Sequence, residues 1–256
     1  MRRAVATLAA ALAVAVAGCG EKSEPTAAAG GTATLTVSAA ASLKAALDAY
    51  AKDFPGADVK AQFAGSDELA AQIQQGVKPD VFAAANTKLP EGLFAKGLVE
   101  KPRVFAGNEL VLAVPASGAK VAALADLGHD GVKLAIGSRT VPIGAYTHQV
   151  LDRLGGSEEK AILANVRSEE PDVKGVIGKL TQGAVDAGFV YRSDVKAASG
   201  RLRSIALPAR LQPKVAYAAA VVKGAKQPAL ARRYVAGLVS GRGQAALRAA
   251  GFLPPP

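Results

Sequence analysis

The sequence predicts an α/β protein in which parallel sheets carry helices on both faces. Half of its 256 residues are hydrophobic and 20% are charged, a composition that can bury a sizeable core and excludes disorder over most of the length. From Thr32 onward, short β-rich runs alternate with amphipathic helical patterns, which is typical of parallel sheets. The sequence shows neither an internal repeat nor a heptad pattern.

Each element follows from its local pattern. Leu43, Leu47, Tyr50 and Phe54 recur on one helical face, and prolines predict the starts of three other helices. The predicted strands span residues 33–38, 57–63, 80–85, 109–115, 132–136, 185–191 and 215–222. The predicted helices span residues 43–54, 66–75, 90–96, 145–154, 171–182, 228–240 and 243–250.

The N-terminal residues predict export. Arg2 and Arg3 precede an uncharged apolar run over 4–17. The run is shorter than the ~20 residues that a transmembrane helix needs and is typical of a signal peptide. The run ends in Val-Ala-Gly-Cys19, which is similar to the lipobox of bacterial lipoproteins; an ordinary signal peptide with an incidental cysteine is the alternative. We therefore expect a signal peptide at 1–18, a lipidated Cys19, and a flexible tether over 19–31 that holds the exported protein on the outer side of the cytoplasmic membrane or in the periplasm.

Composition also excludes several classes of function. One methionine, one cysteine, two histidines and no tryptophan leave almost nothing from which to build a zinc, copper, haem or iron–sulfur site. The formal charge of +10 comes partly from a C-terminal part rich in lysine and arginine, where Asp194 is the only acidic residue after Gly188. Nucleic-acid binding would require a cytosolic protein, which the predicted export contradicts. We therefore interpret the excess of lysine and arginine as a solvated basic face that also steers anions.

Three junctions between a strand and a helix predict an anion site. Ser42 and Ser66 each follow a predicted strand and stand where a helix N-cap belongs. At residues 169–173, a proline opens a helix and leaves the backbone amides of Asp172 and Val173 without intrahelical acceptors. Helix N-termini at the carboxyl ends of strands bind anions, but the pattern alone does not name the anion.

Six motifs in order, and the C-terminal ending, carry a resemblance. They are 38–43 (SAAASL), 63–66 (FAGS), 79–83 (PDVFA), 141–144 (VPIG), 171–174 (PDVK) and 188–194 (GFVYRSD), followed by a short helix and Gly-Phe at 241–252. With these motifs the chain resembles the molybdate-binding lipoproteins and periplasmic proteins of ABC transporters. The resemblance covers essentially the whole mature chain.

That resemblance implies a two-lobed periplasmic-binding-protein fold of type II, with mixed sheets and a ligand cleft between lobes joined by two crossing strands. Its lobes would comprise residues 32–111 with 218–256, and residues 112–217. The anion would be held by Ser42 and Ser66, by the amides of Ile143 and Val173, and by the Tyr191 hydroxyl. Ile143 departs from the family, which usually has alanine there.

The implied function is capture of molybdate, and of tungstate too, and delivery of the anion to a membrane permease. The resemblance also implies a monomer that needs no cofactor and coordinates no metal cation directly. A site made only of donors rejects phosphate, which carries a proton near neutral pH, and admits fully deprotonated anions. Two alternatives stay open: a binding protein for another oxyanion such as sulfate, and an exported serine hydrolase that uses Ser42 or Ser66. Neither serine lies in a Gly-x-Ser-x-Gly or Ser-x-x-Lys motif, so we favour a binding protein over an enzyme.

Overall fold

Two five-stranded mixed sheets organise residues 32–256, the part of the chain that this computed structural model describes. Helices cover the sheets, which confirms the predicted α/β class and the two-sheet architecture. The signal peptide, Cys19 and the tether lie outside the described residues. Among those that are described, no helix is long and apolar enough to cross a membrane.

The first sheet consists of β1 Ala33–Ala40, β2 Ala57–Ala64, β3 Val81–Ala84, β4 Arg103–Asn108 and β10 Val215–Val221. Its strands lie in the order β2-β1-β3-β10-β4. Strand β1 runs parallel to β2 and β3, whereas β10 is antiparallel to both of its neighbours, β3 and β4. The sheet is therefore mixed, where the alternation of strands and helices predicted parallel pairing.

The second sheet consists of β5 Leu110–Pro115, β6 Leu134–Gly137, β7 Val166–Glu170, β8 Ala187–Tyr191 and β9 Leu202–Ala206. Its strands lie in the order β7-β6-β8-β5-β9. Here β6 is parallel to β7 and β8, and β5 is antiparallel to β8 and β9. The two sheets thus repeat one plan, a parallel group extended by antiparallel strands.

The helices lie between these strands and after the last one. They are α1 Lys44–Asp53, α2 Ser66–Gln74, α3 Lys88–Ala95, α4 Pro142–Leu154, α5 Gly156–Ala164, α6 Val173–Thr181, α7 Arg192–Ala197, α8 Pro228–Val239 and α9 Arg242–Ala249. Short 3-10 turns occur at Ala41–Leu43, Leu124–Gly128 and Ala209–Leu211. The predicted apolar face of α1 is buried, with Leu47 at 0% and Tyr50 at 3% exposure.

The chain passes between the sheets twice. It leaves the first sheet after Asn108 and enters the second at Leu110, and it returns between Ala206 and Val215. We call the part built around each sheet a lobe; these strand ends fall a few residues before the predicted boundaries at 111/112 and 217/218. Helix α8 packs on β4 and β10, and α9 packs on α1 and β4, so both C-terminal helices lie against the first sheet or the helix that follows its first strand.

Several elements differ from the sequence-based expectations. Helix α4 begins at Pro142 rather than at residue 145, and α3 begins at Lys88, which puts Pro90 third in the helix instead of first. The sequence patterns also missed five elements, namely β4, α5, β7, α7 and β9. Strand β7 (VRSEE) is a polar edge strand whose residues are half-buried or exposed, so it lacks the apolar run that predicts a strand.

Candidate oxyanion-binding site

A small cavity lies between the two lobes at the ends of strands from both sheets. Its volume is about 20 Å³, which suits a single small ion and is far below the several hundred Å³ of a site for an organic ligand. All of the predicted anion ligands line it: Ser42, Ser66, Ile143, Val173 and Tyr191. The fold therefore brings together residues that are up to 149 positions apart (191 − 42) in the sequence.

Ser42 reaches the cavity from a 3-10 turn and not from an N-cap. The turn Ala41–Leu43 follows β1 directly, and Leu43 is the residue that precedes α1, so the predicted capping role of Ser42 is wrong. Its Oγ lies 3.1 Å from the Tyr217 hydroxyl, inside the protein. The Ser42 side chain is therefore held by a tyrosine of strand β10 rather than by the helix that follows it.

Ser66 is the first residue of α2, and Gly65 is the N-cap, which corrects the second predicted cap. The backbone amide of Ala85, just past β3, donates to Ser66 Oγ over 3.1 Å. That bond occupies a lone pair of the hydroxyl oxygen and leaves the hydroxyl hydrogen free to point elsewhere. Because Ser66 is only 1% exposed and lines the cavity, the cavity is the place for that hydrogen.

Ile143 belongs to the first turn of α4. Pro142 opens this helix and has no N–H, and the first intrahelical bond runs from the Ala145 amide to the Val141 carbonyl oxygen. The Ile143 amide therefore lies among the first-turn donors that have no acceptor within the helix. This donor belongs to the backbone, so it is present whatever side chain stands at position 143.

Val173 opens α6, and the aspartate before it explains which amide stays available. The Asp172 carboxylate is the N-cap: its Oδ1 accepts from the amides of Lys174 at 2.7 Å and Gly175 at 3.1 Å. Pro171 thus lies outside the helix that it was predicted to open. With the next two donors satisfied by the cap, the Val173 amide is the first-turn donor left for an anion.

Tyr191 ends β8 and points its hydroxyl into a buried environment. The residue is 1% exposed, and among the described residues nothing forms a hydrogen bond with its Oη. Burial raises the pKa of Tyr191 well above its ordinary value, so the hydroxyl keeps its proton and remains a donor at any physiological pH. An unbonded buried hydroxyl that lines a cavity is what an anion ligand would satisfy.

The cavity offers dipoles rather than cations. Within residues 32–256, no lysine, arginine or histidine lines it, and its only carboxylate, Asp172, is bonded to backbone amides. Nearby, burial raises the pKa of Asp194 to about 6, and Lys174 opposes this shift through an ion pair of 2.8 Å. The same part of the chain holds no cluster of histidine, cysteine and carboxylate side chains that could bind a metal cation.

Sequence reasoning missed two polar residues beneath the cavity. Tyr217 lies in β10 and Asn108 ends β4, and the Asn108 amide nitrogen is 3.4 Å from the Tyr217 hydroxyl. Both side chains are buried, at 0% and 6% exposure. Tyr217 stands in an apolar run and Asn108 next to a predicted strand, so no local pattern marks either as part of a site.

Two α/β lobes joined by two crossings, with a small donor-lined cavity between them, define a binding protein for a solute anion. The profile of one family, described as bacterial extracellular solute-binding protein, matches residues 35–253. The chain belongs to this family, among the molybdate-binding proteins called ModA. Membership in a family of solute-binding proteins confirms the interpretation as a binding protein and not an enzyme.

Relatives and solved structures agree with this assignment. The chain is 35% identical to the molybdate-binding protein ModA of Mycobacterium tuberculosis over 93% of this chain and 92% of that protein. The periplasmic molybdate-binding protein of Azotobacter vinelandii superposes with a TM-score of 0.77 at 24% identity, over 87% of this chain and 100% of that one. The sulfate-binding protein SubI of M. tuberculosis reaches 0.76 at 17% identity, over 87% of each chain, so the fold alone does not choose the anion.

Proposed function

We propose that this protein captures molybdate, and tungstate as well, outside the cytoplasm and delivers it to the permease of an ABC importer without changing it chemically. The observation that carries the proposal is the cavity between the lobes, which is small and lined by hydroxyl and amide donors from both. Similarity to molybdate-binding proteins over most of the chain supports the choice of anion.

The donor set fits a tetrahedral dianion. Each charge-assisted hydrogen bond contributes roughly 1.5–3 kcal/mol, and the N-termini of α2, α4 and α6 add favourable dipoles. The proposed donors are the hydroxyls of Ser42, Ser66 and Tyr191 and the backbone amides of Ile143 and Val173. Several such bonds together hold a desolvated anion without a formal positive charge in the cavity.

The same donors explain the expected selectivity. Ser66 Oγ already accepts a hydrogen bond from the protein, and the proposed amides of Ile143 and Val173 can only donate. Hydrogen phosphate would therefore bring a proton that none of these proposed ligands is placed to accept, and burying an unpaired donor costs about 1–3 kcal/mol. Molybdate, tungstate and sulfate carry no such proton, so discrimination among these three depends on cavity size.

We propose that the lobes, residues 32–111 with 218–256 and residues 112–217, close around the anion. The contact between Gly65 of the first lobe and the Pro171 carbonyl oxygen of the second supports closure, because only a glycine fits there. Closure would place the donors of the two lobes on opposite sides of one ion.

We also propose that Cys19 is lipidated and anchors the exported protein to the outer side of the cytoplasmic membrane. The support is the sequence Val-Ala-Gly-Cys after the apolar run. A Cys19→Ser precursor should keep its anion affinity while the protein is released or left uncleaved. Unchanged membrane association of a Cys19→Ser protein that is still processed would refute the anchor and leave the binding function untouched.

The decisive experiment compares four anions. Thermal unfolding of the protein is followed with molybdate, tungstate, sulfate and phosphate at equal concentration, and affinities are then measured by calorimetry. Because a ligand that binds only the folded state stabilises it, molybdate and tungstate should raise the midpoint and phosphate should not. If sulfate alone raises the unfolding midpoint, the ligand is sulfate and not molybdate. If none of the four anions raises it, the proposed oxyanion function is wrong.

A further inference from the structure

A chain of buried polar groups runs from the crossing between the lobes to Ser42. Asn108 Nδ2 donates to Ser193 Oγ at 2.9 Å and lies 3.4 Å from the Tyr217 hydroxyl. That hydroxyl is 3.1 Å from Ser42 Oγ, which borders the cavity. The four side chains are between 0% and 6% exposed, so water does not compete for these bonds.

The available hydrogen atoms and lone pairs determine which group donates in each of these hydrogen bonds. The Glu109 amide donates to Asn108 Oδ1 at 2.9 Å, so the Asn108 amide group must be oriented with its NH2 toward Tyr217 and Ser193. An NH2 group has no lone pair to offer. The Tyr217 oxygen therefore accepts from Asn108, and among the described residues Ser42 Oγ is the one group within 3.5 Å, with hydrogen-bond geometry, that can take the Tyr217 hydrogen.

Ser42 is consequently left with its hydrogen unused by the protein. Its oxygen accepts from Tyr217, and its O–H is free to donate into the cavity. Burial raises the pKa of Tyr217 well above its ordinary value, so the hydrogen on which the chain depends is always present. The arrangement parallels that of Ser66, whose oxygen accepts from the Ala85 amide.

We infer that Asn108 and Tyr217 are positioning residues that keep the Ser42 hydroxyl oriented as a donor toward the bound anion. This inference rests on the proposed function and adds to it the origin of selectivity on the Ser42 side. A serine whose oxygen already accepts is a poor partner for the proton of hydrogen phosphate. A serine released from Tyr217 can turn and accept that proton.

The first test removes the donor to Ser42 without adding charge. Tyr217→Phe should weaken molybdate binding about two- to tenfold, the value of one neutral hydrogen bond. It should also improve hydrogen phosphate binding relative to molybdate, which a loss of packing would not do, because a purely structural defect weakens both anions by the same factor. Tyr234→Phe is the control for loss of a buried tyrosine hydroxyl: unlike that of Tyr217, the Tyr234 hydroxyl has no partner among the described residues, and Tyr234 does not border the cavity.

The second test reverses the direction of the hydrogen bonds between position 108, Tyr217 and Ser42. Asn108→Asp has nearly the same shape and, once ionised, only accepts. At a pH above the pKa of the new carboxyl group, which burial raises, Tyr217 would therefore donate to the carboxylate and Ser42 to Tyr217. The Ser42 lone pairs would then face the anion, and molybdate affinity should fall at least about tenfold. Because the added negative charge also repels the anion, the substitution is repeated in a Ser42→Ala background, where the charge is kept and the hydroxyl is gone.

Calorimetry with molybdate and phosphate on the wild type and all variants separates the outcomes. The inference predicts that the penalty of Asn108→Asp is at least about fivefold smaller in the Ser42→Ala background. An equal penalty in both backgrounds, together with an unchanged anion preference in Tyr217→Phe, would overturn it while wild-type molybdate binding still upheld the proposed function. A wild type that does not bind molybdate would overturn both. Since Asn108→Asp is isosteric, it also decides the matter if Tyr217→Phe fails to fold.

Discussion

Gly65 of the first lobe lies against the carbonyl oxygen of Pro171 in the second lobe. A Cβ added to Gly65 would sit 2.6 Å from that oxygen, closer than real Cβ atoms approach. The φ angle of Gly65 is −58°, which any residue adopts, so glycine is required by the neighbouring lobe and not by its own backbone. The contact lies at the cavity, because both Gly65 and its neighbour Ser66 line it.

Gly65→Ala should therefore hold the lobes apart and weaken molybdate binding at least about tenfold. Free energies of unfolding without ligand should change by no more than about 1 kcal/mol, the scale of an N-cap substitution. The control is Gly178→Ala in α6, where an added Cβ meets nothing within 4 Å. Calorimetry and urea unfolding measure both quantities; wild-type affinity in Gly65→Ala would show that this contact is absent from the bound state.

Ser66→Ala and Tyr191→Phe should each weaken molybdate binding by about tenfold to somewhat over a hundredfold, because each removes one charge-assisted bond worth roughly 1.5–3 kcal/mol. Their effects on stability should differ. Ser66→Ala also leaves the buried Ala85 amide without its acceptor and should lower the free energy of unfolding, whereas the Tyr191 hydroxyl has no partner to lose among the described residues.

Calorimetry and thermal unfolding of these two variants separate ligand contact from folding. Tyr234→Phe again serves as control, since it deletes a buried hydroxyl remote from the cavity. If Ser66→Ala and Tyr191→Phe both bind molybdate as tightly as the wild type, the proposed donors are wrong, even though the fold is that of a solute-binding protein.

The sequence predicted the elements with strong apolar periodicity and missed those without it. Helix α8 begins at Pro228 as expected. Proline suits the first helical position because its fixed φ angle is helical and because an N–H at that position would have no acceptor within the helix. Helix α5 was missed because it follows directly after Gly155, a residue that normally ends a helix. Strand β4 was missed because Gly107 and Asn108 are typical of a turn.

For the candidate site, the motifs predicted residues that line the cavity but not the bonds that orient their side chains. Ser42 and Ser66 were predicted to cap helices, yet their oxygens contact Tyr217 and the Ala85 amide. Ser42 and Tyr217 are 175 residues apart, and they meet because Ser42 follows β1 and Tyr217 lies in β10, two strands of the same sheet. A contact of that sequence separation leaves no local pattern, so one sequence could not have predicted it.

Ile143→Ala tests whether the site depends on a backbone donor. The Ile143 side chain is 2% exposed and fills the space beside Gly137, where an added Cβ would lie 2.5 Å from Ile143 Cγ2. Truncation should thus cost about 2–5 kcal/mol of stability, as for other large-to-small changes in a core. Molybdate affinity should stay within about fivefold of wild type because the amide remains; calorimetry below the unfolding transition checks this, and a hundredfold loss would assign the side chain a direct role.

The buried pair of Asp194 and Lys174 predicts a pH dependence of stability. Burial raises the pKa of Asp194 to about 6, while its ordinary value of 3.8 applies in the unfolded chain, even though Lys174 at 2.8 Å favours the ionised form. Between these two values the folded state holds a proton that the unfolded state has released. Stability contributed by this group is therefore full below about pH 4 and is lost as the pH rises to about 6.

Asp194→Asn removes that titration. The free energy of unfolding of the wild type, measured relative to Asp194→Asn by urea titration between pH 4 and pH 8, should fall by up to about 3 kcal/mol as the pH rises to about 6 and then level off. The ion pair with Lys174 forms only when Asp194 is ionised, so its contribution is already contained in the folded-state pKa. The remaining difference between protonated aspartic acid and asparagine is an offset that does not change with pH. Parallel curves for wild type and Asp194→Asn would show that Asp194 is ionised in the folded protein throughout, with Lys174 outweighing the cost of burial.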